Sequence, residues 1–238
     1  MSYLKLLSND TQIRICSEIV IKVVNILIIP LITYGVGIKE YGNYIIITCI
    51  INGLLPIFLL GFNFSIIKKL ATNQKIENDS AKVFNTIFLI TFFSILIAVF
   101  TSLLSFFFFY SLIKVSLLII IITYFSSIQL LLFEFLRSKK KSKVFSFFQT
   151  FDSLLLIIIT FILFLFEQLS ISILLKIIIF VKISCLVLIT LFLIKTKLIN
   201  IKYFLLDDKI YKNYIKVGFI FIILGISEWL INFSDKLI

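Results

Sequence analysis

Apolar residues gather along this chain into long blocks, and the polar residues between them come in short clusters rich in Lys, Asn, Asp and Ser. A half-buried strand would alternate, and a helix on the surface of a soluble domain would carry a broad polar face. Neither pattern is present. Blocks of this length fit the roughly 20 helical residues that cross a hydrocarbon layer about 30 Å thick. They predict spans over residues 13–34, 44–67, 84–109, 115–135, 147–166 and 171–194, with a seventh beginning near Val217. In lipid every backbone N–H and C=O needs an internal partner, which a helix supplies within its own segment. The predicted fold class is therefore all-α, a polytopic transmembrane helical bundle.

The same pattern sets the domain organisation. Residues 1–194 form a six-helix lobe, residues 195–216 a cytoplasmic linker, and residues 217–238 a seventh helix that opens a second lobe. Within the linker, Leu206, Ile210, Tyr214 and Val217 recur at helical spacing while Lys209, Lys212 and Lys216 take another face. That describes a basic amphipathic segment on the membrane surface, and a plain positively charged connector fits equally well. The chain stops just past the seventh block without a polar tail, and a truncated second lobe is expected. Arg14, Glu18 and Lys22 interrupt the first block and no A-x-A site follows it, so it is expected to stay as a helix and not to be cleaved as a signal.

Composition removes most alternatives. The chain has 238 residues, 61% of them hydrophobic and 15% charged, against about 25% charged in soluble domains, and its mean hydropathy is +1.18. A net charge of +11 would raise nucleic acid as a partner in a soluble protein. The positions of the charges decide against it. Lys5, Lys68, Lys69, Lys75, Lys82, Arg137, Lys139, Lys140, Lys141, Lys143 and the lysines of the linker fall in alternate connectors, whereas the opposite connectors hold Lys39 and Lys114. Positive loops stay in the cytoplasm during insertion. The N-terminus is expected there, the protein in the inner membrane, and anionic lipid headgroups, not nucleic acid, at the basic loops.

Histidine is absent, which removes His-based acid–base chemistry, the Ser-His-Asp triad and His metal ligation. Cys16, Cys49 and Cys185 lie far apart with no CxxC pair, and are expected as small buried hydrophobes. No catalytic residue, metal or cofactor is expected, and an enzyme is not.

Ionisable groups inside spans are costly, about 2.5–3.5 kcal/mol at a helix centre on insertion scales, so each is a candidate for function. Lys22 and Lys182 fall near the middle of the first and sixth spans, and Lys176 nearer an end. Arg14, Glu18 and Lys22 are spaced four apart with Asn25 close to the same line, a stripe that must face protein or water. It is either one wall of a cationic cavity for a phosphate-bearing headgroup, or an ion-pair network in which Glu18 neutralises Arg14 and Lys22. Snorkelling of Arg14 to the cytoplasmic surface is a third reading. Glu134 and Asp152 flank the basic connector at 137–143 and are expected to pair with it. Glu228 lies inside the seventh block beside Trp229, as a cavity residue or an ion-pair partner. Pro30 and Pro56 interrupt the first two spans, with Gly53 one turn before Pro56, as hinges or static bends. The glycine-rich turn from Gly35 to Gly42 lacks phosphate-loop spacing.

Three stretches resemble the polysaccharide biosynthesis exporters, the O-antigen and teichoic-acid flippases of the MOP (MATE-like) superfamily. Pro30-Leu31 followed by Gly37-Ile38-Lys39-Glu40-Tyr41-Gly42 is similar to that family's proline, glycine and acidic-Tyr-Gly turn. Leu60-Gly61-Phe62-Asn63 running into Lys68-Lys69-Leu70-Ala71 is similar to its second-helix exit, and Tyr214-Ile215-Lys216-Val217-Gly218 leading to Asn232-Phe233-Ser234-Asp235-Lys236 to its seventh helix. Ile38 and Phe219-Ile220 stand where the family often has proline, and Leu60 where it often has an acidic residue. The resemblance implies two six-helix lobes around a central cavity that carry an undecaprenyl-diphosphate-linked oligosaccharide by alternating access, for O-antigen or capsule assembly. It also implies a C-terminal half-transporter and a polysaccharide polymerase as partners. A MATE-like drug or ion antiporter and a membrane-embedded glycan polymerase or glycosyltransferase are the other function classes.

Overall fold

The computed structural model describes residues 2–59, 87–88, 90–92, 94–100, 113–198 and 220–231. Among them all regular structure is helical. The elements are α1 (Ser2–Val36), α2 (Ile38–Leu59), α3 (Ile90–Phe100), α4 (Ile113–Ser138), α5 (Ser142–Leu165), α6 (Ile171–Lys195) and α7 (Ile220–Ile231). Of these, α1, α2, α4, α5 and α6 are long and apolar enough to cross a membrane, while α3 and α7 are shorter apolar helices. The predicted spans over 115–135, 147–166 and 171–194 coincide with α4, α5 and α6 to within about five residues, and the span over 13–34 with the apolar part of α1, Thr11–Val36. The second begins earlier than predicted, at Ile38. The motif at 60–71, most of the linker with its amphipathic segment, and residues 232–238 lie outside the described residues.

Short joints set the helix order in space. Gly37 alone separates α1 from α2, at φ +89°, a left-handed conformation that a residue without Cβ adopts freely; its N–H still bonds the Thr33 carbonyl at 3.0 Å. Between α4 and α5, Lys140 takes φ 55° while Lys139, Lys140 and Lys141 donate back to the carbonyls of Phe135, Arg137 and Leu136. These bonds satisfy the end of α4 much as a glycine cap would. The α5–α6 joint repeats the device with Glu167 at φ 53°, and Ser170 then caps α6 by accepting from the Ile173 N–H.

Each helix packs on particular neighbours. α1 lies mainly along α5, α5 on α6, α6 on α4, and α4 on α2. Three apolar clusters hold these contacts. Leu131, Phe135, Phe148, Ile189 and Leu193 join α4, α5 and α6. Ile51, Ile122, Leu175 and Ile178 join α2, α4 and α6. Ile28, Ile32, Leu169 and Leu174 seat the end of α1 on α6 and the turn before it. Contributing to all three, α6 is the spine of the bundle.

Lipid tails are as apolar as these side chains, so burial alone gives little preference for helix–helix contact. Polar contacts between helices add direction. Thr91 Oγ1 meets Tyr124 Oη at 3.1 Å between α3 and α4. Gln129 Nε2 of α4 donates to Cys185 Sγ of α6 at 3.2 Å, and that thiol lies 3.7 Å from the Phe148 carbonyl of α5. Most other hydroxyls bond a carbonyl of their own helix, as Thr123 does to Ile119 and Thr160 to Leu156, which removes a stray donor from the apolar interior.

Candidate functional site

Two charged features stand out among the described residues of the long apolar helices, and they are built differently. The first is the stripe on α1. At about 100° per residue, Arg14, Glu18, Lys22 and Asn25 fall within an arc of about 80°. All four are exposed, beside a buried face made by Ser17, Val24, Ile28 and Ile32. Arg14 Nε bonds Glu18 Oε1 at 3.1 Å, with side chains 48% and 51% exposed. The ion-pair reading therefore holds for Arg14 and Glu18. It does not extend to Lys22, whose ammonium has no ion-pair partner among the described residues. Cys16, expected as a buried hydrophobe, is exposed on α1, while Cys49 and Cys185 are buried.

The second feature is an ion pair between consecutive helices. Lys182 Nζ of α6 lies 2.6 Å from Asp152 Oδ2 of α5, with side chains 22% and 16% exposed. The other carboxylate oxygen, Oδ1, is buried with no hydrogen-bond partner, and so is Ser146 Oγ on the same helix. Cys185, with its bonds to Gln129 and to the Phe148 carbonyl, lies one turn from Lys182. Together these residues make a polar layer through α4, α5 and α6.

This pair corrects the expectation that Asp152 serves the basic connector. α5 begins at Ser142, five residues before the predicted span, so Asp152 lies almost three turns inside the helix and out of reach of residues 137–143. Glu134 does pair with the connector, at 2.8 Å from Arg137 Nη1, and the Arg137 guanidinium sits 5.6 Å from the centre of the Phe145 ring. Lys182 was expected as a cavity cation alongside Lys22. The structure gives it an internal counter-ion, and an incoming anion would have to compete with Asp152 for it. A usable signal was present in the sequence. Asp152 precedes the α5–α6 joint by nearly the same distance as Lys182 follows it, which in a helical hairpin places the two at one level.

Glu228 is exposed on α7, while its neighbour Trp229 turns inward. The indole Nε1 donates to the Cys49 carbonyl of α2 at 2.8 Å. Its ring lies so close to Gly53 that a Cβ there would stand 2.6 Å from Trp229 Cε2, and a Cβ on Gly225 would stand 2.8 Å from Pro56 Cβ. Two glycines thus let α2 and α7 approach closely, as small residues do at membrane helix interfaces. The sequence offers Pro56 as a hinge or a static bend and gives no sign of this contact. Both Pro30 and Pro56 lie inside continuous helices. Pro30 borders an apolar groove of about 540 Å³ between α1 and α5.

Compared with protein-family models, curated proteins and solved structures, the chain matches none of them. The class that the fold itself defines is a multi-pass helical membrane bundle. Its described residues include an exposed charged stripe and an interhelical ion pair.

Proposed function

We propose that this chain is the cavity-forming first lobe of a transporter that moves a lipid-linked oligosaccharide, an undecaprenyl-diphosphate glycan, across the inner membrane. The observation that carries the reading is Lys22. It is an exposed ammonium halfway along a span, without an ion-pair partner among the described residues, on a helix whose other exposed residues are mostly apolar. A cation in that position cannot rest against acyl tails at low cost. It calls for water and an anion, and a diphosphate offers several strong acceptors for charge-assisted bonds. Arg14 stands two turns nearer the N-terminus, where Glu18 orients it, and Asn25 adds a neutral donor one turn further on. A second lobe, or a separate half-transporter, would close the stripe into a cavity, and a polysaccharide polymerase would receive the glycan.

Replacing Lys22 with Ala is expected to lower surface glycan at least tenfold in a flippase-deficient strain dependent on this gene, with membrane abundance of the protein unchanged. Wild-type glycan levels from the variant would remove the cavity role. A MATE-like antiporter would instead show changed drug resistance with surface glycan intact. The orientation has its own test. In intact cells an impermeant thiol reagent should fail to label a cysteine placed at Lys141, and should label it once the inner membrane is opened. Labelling from outside would reverse the threading and put Lys39 and Glu167 in the cytoplasm.

A further inference from the structure

We infer that the Asp152–Lys182 pair is an exchange site, at which a phosphate group of the cargo takes the place of Asp152 on Lys182 while Asp152 takes up one proton. The inference rests on the anionic cargo proposed above, and it adds a proton that enters with the anion.

Three ionisable side chains share one level in the bundle. A Cβ on Gly35 would stand 3.2 Å from the Phe164 ring and 2.6 Å from Leu169 Cδ2, so the end of α1 meets both the end of α5 and the turn that leads into α6. From this junction α1 runs back along α5. Lys22 precedes Gly35 by 13 residues, Asp152 precedes Phe164 by 12, and Lys182 follows Leu169 by 13. At 1.5 Å per residue all three lie about 18–20 Å from the junction. An anion drawn to Lys22 therefore arrives at the height of Lys182, whose side chain is 22% exposed and open to approach.

Asp152 can release Lys182 only by becoming neutral. Its Oδ2 has the ammonium at 2.6 Å, and its Oδ1 is buried with no partner. Once a phosphate draws the ammonium away, neither carboxylate oxygen keeps a partner among the described residues. A buried carboxylate without a counter-ion costs far more than the neutral acid, so it takes up a proton. The N–H bond from Nζ passes from Oδ2 to a phosphate oxygen, and a proton from water at the exposed edge of the pair forms an O–H bond on Asp152. One negative charge and one proton have entered, and the net charge of the layer is unchanged. The neighbouring groups are already engaged. Cys185 of α6 accepts from Gln129 and lies against the Phe148 carbonyl. On α4, Tyr124 meets Thr91 and Glu134 pairs with Arg137. On α1, Arg14 and Glu18 pair with each other beside Lys22, on an exposed face.

The test uses the whole chain purified from membranes into mild detergent. The probe is N-acetylglucosamine joined through diphosphate to farnesol, a diester that lacks the second phosphate ionisation found near roughly pH 6. Titration calorimetry in two buffers of different ionisation enthalpy counts the protons taken up per probe bound. About one is expected near roughly pH 6, and affinity should fall as pH rises, by up to about tenfold per unit, because the bound state holds the extra proton. Asp152→Asn should bind the probe with no uptake and with one affinity across that range. Uptake near zero in the unaltered protein, or undiminished uptake in Asp152→Asn, overturns the exchange. Binding without uptake removes the exchange and leaves the cargo standing, whereas no binding at any pH overturns the cargo and the exchange together. Because the proton count is made on the unaltered protein, a folding failure of Asp152→Asn leaves it decisive.

Discussion

Replacing Lys182 with Met is expected to destabilise the bundle by about 3–5 kcal/mol, the range found when one partner of a buried ion pair is removed. The reason is the carboxylate left behind. Asp152 Oδ2 has its ion-pair partner in Lys182 at 2.6 Å, and Oδ1 is already buried without a partner. Taking away the ammonium strands a mostly buried carboxylate, with which no second cation among the described residues is paired. With side chains only 16% and 22% exposed, solvent screening weakens the pair little. Replacing both residues together, Asp152→Leu with Lys182→Met, should return stability to within about 1 kcal/mol of the parent or raise it, because an apolar pair of similar volume is often as stable as the buried ion pair it replaces. Unfolding in mixed micelles measures both, and a wild-type midpoint for the single variant would exclude the ion pair. The double variant also separates stability from transport. If Lys182 exchanges Asp152 for the anion of a passing lipid, the doubly substituted protein folds and fails to restore surface glycan. If the pair only fixes α5 against α6, it restores glycan fully.

How far these features were legible depended on the range of the contacts behind them. The stripe from Arg14 to Asn25 could be read because helical periodicity is local, and four residues on one face remain on it whatever the bundle does. Glu134 and Arg137, three apart, could be read for the same reason. The long spans followed from hydropathy because lipid makes every stretch solve its own backbone bonding. Asp152 was assigned to the wrong partner because a start five residues late brought it close to the basic connector, and only the level within the α5–α6 hairpin corrects that. Cys185 showed itself as apolar in sequence, yet it links Gln129 with the Phe148 carbonyl across three helices. Trp229 and Cys49 stand 180 residues apart. No local pattern encodes that contact, and nothing in the sequence pairs Gly53 with Trp229 or Gly225 with Pro56.

The α2–α7 contact gives the other large effect. Gly53→Ala is expected to displace α7 from α2 and to destabilise the protein by about 1–3 kcal/mol, as overpacking does, with up to about 1.5 kcal/mol more if the indole hydrogen bond is lost. The added methyl would stand 2.6 Å from Trp229 Cε2, 2.9 Å from Nε1 and 3.0 Å from Cδ2. These are atoms of one rigid ring, and the Nε1 bond to the Cys49 carbonyl opposes its rotation. One turn away the backbones are equally close, since a Cβ on Gly225 would stand 2.8 and 2.9 Å from Cβ and Cγ of Pro56, another rigid ring. Gly35→Ala is the control. Its methyl also meets a neighbour at 2.6 Å, Leu169 Cδ2, with Leu169 Cβ and the Phe164 ring at 3.2 Å, so it crowds the α1 end of the bundle and not the indole. Trp229 is the chain's one tryptophan, so selectively excited tryptophan emission reports on this contact. In Gly53→Ala the emission should shift, and quenching by brominated acyl chains should rise as the indole leaves its place between the helices; Gly35→Ala should leave both unchanged. Unaltered emission and stability in Gly53→Ala would mean that α7 does not rest on α2. On the proposed architecture α7 opens the second lobe, so displacing it from α2 would open the join between lobes, and transport should fall with the fluorescence change while the α4–α5–α6 core stays folded.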